Sequence, residues 1–224
     1  MNYIIKIVIS TYNWILDIIL PQDCLGCKNR GKIICSNCLF HIRRAERETI
    51  KDVISLYDYR DPIIKKAIWS LKYHNRFSIG TELGKLLHTE RIEDISEMRL
   101  YTQGNPIYVI PVPLYNERQK YRGYNQAEII AAGFCKNENK EILELRNDIV
   151  IKQINTQQQA KLNNRNKRLS NIKGAFIVTK PKDVKDRTFI IIDDVTTTGG
   201  TISEMIKILK KSGAKKVIGF TVAH

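Results

Sequence analysis

The stretch FIIIDDVTTTGGT, residues 189–201, decides the fold. Four apolar residues run into two adjacent carboxylates, Asp193 and Asp194. After Val195 come three threonines, two glycines and a fourth threonine. The apolar run is the core of the most strand-like segment in the chain, 188–195. In an open parallel sheet, ligands bind beyond the carboxyl ends of strands, and the two aspartates stand at such an end. The turn then opens a helix that carries Ile202, Met205, Ile206 and Leu209 inward and stops at Gly213. Its glycines leave backbone N–H groups bare, its threonines add hydroxyls, and a helix N-terminus favours negative charge. That combination cradles a phosphate. Carboxylates would repel a phosphate, so they suit the vicinal hydroxyls of a ribose, or a divalent cation with its waters. The combined ligand is a sugar phosphate. No Gly-Lys-Ser/Thr follows, which excludes a P-loop.

Working outward, the rhythm of strand and helix persists. DVISLYDYR (52–60), PIYVIPVPL (106–114), DIVIKQI (148–154), AFIVT (175–179) and KKVIGFTVAH (215–224) read as strands. Helical spacing runs through 62–74, around 80–92, and through 125–137, where Ala127, Ile130, Ala131 and Phe134 share a face. Asn125 and Glu128 have capping spacing at the start of that last helix. The stretch 94–106 is polar, with Gly104 and Pro106 as breakers. Near-continuous apolar strands alternating with helices predict an α/β fold with a mostly parallel, doubly wound sheet.

The chain has 224 residues and a formal net charge of +14, so its expected partners are anions: nucleic acid, phosphorylated small molecules or an acidic surface. Five cysteines argue for a reducing compartment and a metal site over a disulfide framework. Cys24-x2-Cys27 and Cys35-x2-Cys38 have the spacing of two metal knuckles, and four thiolates suit a closed, structural zinc site. A module this small needs such a staple. Redox chemistry of the CxxC pairs is the alternative. His41 is surplus to the four ligands, and Cys135 reads as a buried small side chain. At the N-terminus, Ile5, Val8, Tyr12, Ile15 and Ile19 mark an amphipathic helix packed on something, with a membrane-surface helix as the minority reading. Lys6, Asn13 and Asp17 argue against a spanning helix. Residues 1–50 read as helix plus cysteine module and 51–224 as the main domain.

FIIIDDVTTTGGT resembles the signature of type I phosphoribosyltransferases, which bind 5-phosphoribosyl-1-pyrophosphate (PRPP). PVPLYNERQKYRGYNQA (111–127), TQQQAKLNNRNKRLSNIKGAF (156–176) and the two CxxC pairs narrow the likeness to the ComF family of competence-associated phosphoribosyltransferase-like proteins. Pro113, Arg118, Arg122, Gly123, Asn125 and Gln126 match its first segment; Thr156, Gln159, Leu162, Arg165, Asn171 and Phe176 match its second. One departure is Lys152, where the pattern has an arginine; the charge remains and the bidentate fork is lost.

The resemblance implies that Asp193 and Asp194 contact the ribose hydroxyls. Thr196, Thr197, Thr198, Gly199, Gly200 and Thr201 would hold the 5′-phosphate, and Arg118, Lys120, Arg122 and Lys72 the pyrophosphate. It also implies Mg2+ with PRPP, structural Zn2+, and a flexible loop bearing Gln159, Arg165 and Asn171 that closes over the site. The implied setting is natural competence and DNA uptake, in the cytoplasm or peripheral at the inner membrane face, with other competence proteins such as a DNA-uptake helicase as partners. Two readings stay open: a PRPP-using transferase whose acceptor is unreadable, and a non-catalytic single-stranded-DNA-binding or protein-interaction module on the same fold. The basic run 155–173, with Lys161, Arg165, Lys167, Arg168 and Lys173, fits either, though it lacks aromatic stacking partners; Tyr121 and Tyr124 are the nearest candidates. A PRPP-sensing transcription regulator ranks last, for want of a helix-turn-helix pattern.

Overall fold

A computed structural model of the chain describes residues 23–46, 50–115, 123–153 and 172–224. The expected N-terminal helix, the loop cations Arg118, Lys120 and Arg122, and the loop residues Gln159, Arg165 and Asn171 lie outside the described residues. Within them, five strands form one all-parallel sheet in the order β1-β7-β6-β2-β3. These are β1 Val53–Tyr57, β2 Ile107–Pro111, β3 Leu143–Leu145, β6 Thr188–Val195 and β7 Lys216–Ala223. A separate antiparallel pair joins β4, Val150–Lys152, to β5, Phe176–Val178.

The helices are α1 Ser36–Phe40, α2 Pro62–Tyr73, α3 Phe77–Glu90, α4 Ile92–Arg99, α5 Gln126–Cys135 and α6 Gly200–Lys211. They cover both faces of the sheet, and strand alternation says which. Ile190, Ile192, Phe220 and Val222 pack in one apolar cluster with α2, α3 and α5. Phe189, Ile191 and Val217 pack in the other with α6, Val150 and Phe176. The doubly wound architecture follows from strands that are apolar on both faces.

Local chemistry starts α2 and α5 where the sequence placed them. Asp61 accepts hydrogen bonds from the Ile63 and Ile64 amides at 2.9 and 3.3 Å, and Pro62 takes the first helical position of α2. Asn125 caps α5 by accepting from the Ala127 amide at 3.1 Å, while its side-chain amide donates to Glu128 and to the Val112 carbonyl. One expectation is corrected. The polar stretch after residue 94 begins inside a helix, α4, because Ile95 and Met98 are three apart and bury together while Glu93, Asp94 and Arg99 suit the helix dipole.

Helices α3 and α5 meet through glycines. A Cβ on Gly84 would lie 2.1 Å from the Ile130 carbonyl oxygen, and one on Gly133 would lie 2.4 Å from that of Thr81. The obstacle in each case is backbone, which cannot swing aside. This contact seats α5 on the sheet and thereby sets where its N-terminal loop enters. Gly84→Ala should therefore lower stability by about 1–3 kcal/mol, the usual cost of overpacking, although alanine is by itself the better helix former. The urea midpoint of the variant checks it, and an unchanged or raised midpoint would show that the helices can part without cost.

Candidate functional site

The carboxyl end of β6 lies in the middle of the sheet, between β7 and β2. There the alternation of the strand separates the two aspartates. Asp194 continues the face of Ile190 and Ile192, and Asp193 that of Phe189 and Ile191. On its face, Asp194 meets Lys72 from the last turn of α2, with Nζ 2.8 Å from Oδ2. Asp194 is only 7% exposed, so this partner offsets part of the cost of burying its charge.

Asp193 has no such partner among the described residues. Its Oδ1 accepts from the Asp194 amide at 2.9 Å. Burial, and then the neighbouring charge of Asp194, push its carboxyl up to about 7, against the pull of that amide and of the Lys72 and Lys152 charges. Lys152, the position that departs from the family pattern, therefore acts electrostatically on the site; its Nζ lies 5.4 Å over the Phe176 ring.

The turn beyond the aspartates is pinned from β7. The Thr196 amide donates to the Ala223 carbonyl at 3.0 Å, and His224 Nε2 donates to the Thr197 carbonyl at 3.1 Å. Gly199 caps α6 with φ +70, and a Cβ there would lie 2.7 Å from Ile50. No side chain caps the helix and no acidic residue occupies its first turn. Among the described residues, the first amide of α6 with a backbone acceptor is that of Ser203, bonded to the Gly199 carbonyl. The preceding amides and the positive end of the helix dipole form a concave donor set. Such a set accepts an anion.

Lys72, Asp193, Asp194 and Thr196–Thr201 are thus brought together at one strand end. Tyr124, a candidate for stacking, is instead structural: its hydroxyl donates to the Leu71 carbonyl and its ring packs edge-on against Phe77 at 4.7 Å. Two contributors escape the sequence reading, His224 and Ile50. His224 approaches the turn through the register of β7 beside β6, Ile50 comes from the segment preceding β1, and neither belongs to a local motif.

The cysteines form a second constellation. The Sγ atoms of Cys24, Cys27, Cys35 and Cys38 all lie within 4.8 Å of one another, and those of Cys27 and Cys35 are 3.6 Å apart. A tetrahedral site with metal–sulfur bonds of about 2.3 Å has sulfur–sulfur edges of about 3.8 Å, so the four residues fit a metal ion. Hydrogen bonding to its neighbours, Cys35 foremost, together with burial, pushes the Cys38 thiol up to about 12. Four sulfurs this close cannot all ionise without a cation among them. His41 stands outside the cluster, edge-on to Phe40. Cys135 is half-buried in α5, where burial raises its thiol to about 12, well above the reactive range.

The family described as phosphoribosyl transferase domain matches residues 120–224. Competence protein F of Haemophilus influenzae is 33% identical over 184 residues, which cover 82% of this chain and 75% of that protein. DNA utilization protein YhgH of Escherichia coli O157:H7 is 30% identical over 170 residues, covering 74% and 68%. Competence protein ComFC of Streptococcus pneumoniae is 35% identical over 120 residues, covering 51% of this chain and 47% of that one.

The raised Asp193 carboxyl has a consequence for stability. The folded chain holds a proton there up to about pH 7, while the unfolded chain releases it near pH 4. Stability contributed by this group is therefore lost as pH rises through that window. Asp193→Asn should remove the loss. Without ligand or added Mg2+, its Tm should exceed that of the wild type by more at pH 8 than at pH 5, at about 2–4 °C per kcal/mol for a domain of this size. Thermal unfolding of both proteins across pH 5–8 checks it; parallel curves would place the Asp193 carboxyl back in the ordinary range.

Proposed function

Because the chain belongs to the competence protein F (ComF) family of phosphoribosyltransferase-like proteins, we propose that its β6–α6 turn is a PRPP site serving DNA uptake or utilization. The observation that carries this reading is the row of uncapped amides opening α6 beside two carboxylates on opposite faces of one strand end. The amides and hydroxyls of Thr196–Thr201 hold the 5′-phosphate. Asp193 and Asp194 take the ribose hydroxyls as hydrogen-bond acceptors. Lys72 holds Asp194 in place and presents positive charge toward the pyrophosphate side, where Arg118, Lys120 and Arg122 belong in the family pattern.

Mg2+ bound with PRPP would supply charge neutralisation for the departing pyrophosphate, and Asp193 is the carboxylate left to face it. If transfer occurs, the chain's own work is positioning and electrostatics: fixing the two ends of the sugar phosphate while positive charge develops on the ribose. No described residue stands out as a general base for an acceptor. The four cysteines hold structural Zn2+, with no ligand position left open for chemistry. In this reading residues 1–50 and 51–224 are two units of one protein. No described helix is long and apolar enough to cross a membrane. The reading places the protein in the cytoplasm or at the inner membrane face beside other DNA-uptake components.

Two experiments test the reading. Calorimetric titration of PRPP with Mg2+ should give micromolar binding to the zinc-loaded wild type and none to Asp193→Asn/Asp194→Asn; equal binding by both would remove the site from the β6–α6 turn. Metal analysis should find one zinc per chain, lost in Cys24→Ser. Because the module is joined to α2, the same variant should also unfold at lower temperature, and full stability without metal would show that the cluster is not a structural staple.

A further inference from the structure

Apart from Lys72, the outer face of α2 takes no part in the site just described. At about 100° per residue, Lys72, Lys65, Trp69, Tyr73 and Lys66 fall in that order within an arc of about 120°, while Ile64, Ala67, Ile68 and Leu71 point into the core. Trp69 is 51% exposed and Tyr73 58%. Their ring centroids are 5.4 Å apart, and the His74 ring packs edge-on to Trp69 at 4.7 Å. Single exposed aromatics are ordinary, but a contacting group of three at the surface is not.

The charges on this face are of one sign. The helix sequence PIIKKAIWSLKY contains no acidic residue. Lys66 Nζ donates to the Leu25 carbonyl at 3.3 Å, where the neighbouring Lys28 ammonium lowers its pKa, and no described acidic side chain forms an ion pair with Lys65. The mixture decides what fits. A protein partner or a membrane would call for a larger apolar area or for acidic relief, whereas flat π-faces interleaved with cations match a chain of bases joined by phosphates.

We propose that this face of α2 binds single-stranded nucleic acid, with bases stacked on Trp69 and Tyr73 and phosphates held by Lys65 and Lys66. Paired bases offer no free faces to such rings, so duplex is excluded. The proposal rests on the DNA-handling half of the function given above and not on PRPP binding. Lys72 marks the border, since its ammonium is turned toward Asp194. A strand on this face would run past the mouth of the sugar-phosphate turn.

Fluorescence anisotropy with labelled oligothymidylate of about 16 nucleotides, on the zinc-loaded full chain, tests it. Trp69→Ala and Tyr73→Ala should each weaken binding about tenfold, the loss of one stacked base, while Trp69→Phe keeps it. Lys65→Ala should shallow the slope of log K against log salt by about 0.7, one phosphate contact on a single strand. A duplex of equal length should compete poorly. Oligouridylate binding as well as oligothymidylate would extend the site to RNA. Wild-type affinity in folded Trp69→Ala, equal competition by duplex, or no oligonucleotide binding at all would overturn the proposal. So would self-association that depends on Trp69, because the face would then be an interface between copies. The PRPP titration of Trp69→Ala separates the two readings: it should match the wild type. Oligonucleotide binding by a wild-type protein that fails to bind PRPP would leave this surface standing and remove the other.

Discussion

Two adjacent carboxylates at the tip of a strand buried on both faces are the constraint around which the rest is arranged. Side by side and unrelieved they would repel each other in a poorly hydrated place. The strand itself supplies the first relief, because its alternation turns them to opposite faces of the sheet. Lys72 supplies the second, as a direct ion pair for Asp194 and through its charge alone for Asp193. What remains is concentrated on Asp193, whose carboxyl is held above the usual carboxylate range by burial and the Asp194 charge. A cation or a pair of hydroxyls arriving at that tip would complete an arrangement that is otherwise left unfinished.

The same economy governs the backbone beyond the tip. A buried turn would ordinarily satisfy its amides internally. Here β7 takes one amide and one carbonyl, through Ala223 and His224, and so holds the turn open while leaving the donors at the start of α6 facing outward. Gly199 is needed on two counts, its positive φ and the approach of Ile50. The donor set is therefore held in shape by neighbouring strands before any ligand is present, which is what preorganised anion binding requires.

How much of this could be read from the chain alone depended on the range of the forces involved. β6 was legible to the residue, because an apolar run with charged residues at its end has few other solutions. The inward faces of α5 and α6 followed from spacing, and the Asp61-Pro62 start of α2 agrees with local capping chemistry. β3 has three residues and exists because β2 pairs with it, so no local pattern announces it. Helix α4 hides among charged residues with only Ile95 and Met98 to give it away. His224 reaches the site through strand register, which lies beyond any sequence window. Lys152 stood out only as a departure from a pattern; its effect on Asp193 needed the fold that brings β4 to that side of the sheet.

Helix α2 ties these parts together, because each of its sides has a different task. Its inner side is core. Its last turn sends Lys72 to Asp194, and the Lys66 ammonium holds the Leu25 carbonyl of the cysteine module. Cys24, Leu25, Ile34, Cys38 and Ile42 belong to the same apolar cluster as Ile64, Ala67, Ile68 and Leu71. A metal that closes the four thiolates would therefore brace one side of the helix that carries Lys72 on another. The module is far from the threonine turn in sequence, yet one rigid helix separates its packing surface from the carboxylate that Lys72 restrains. Loosening the cysteine cluster would act on the strand tip through the placement of that lysine, without altering any residue of the turn.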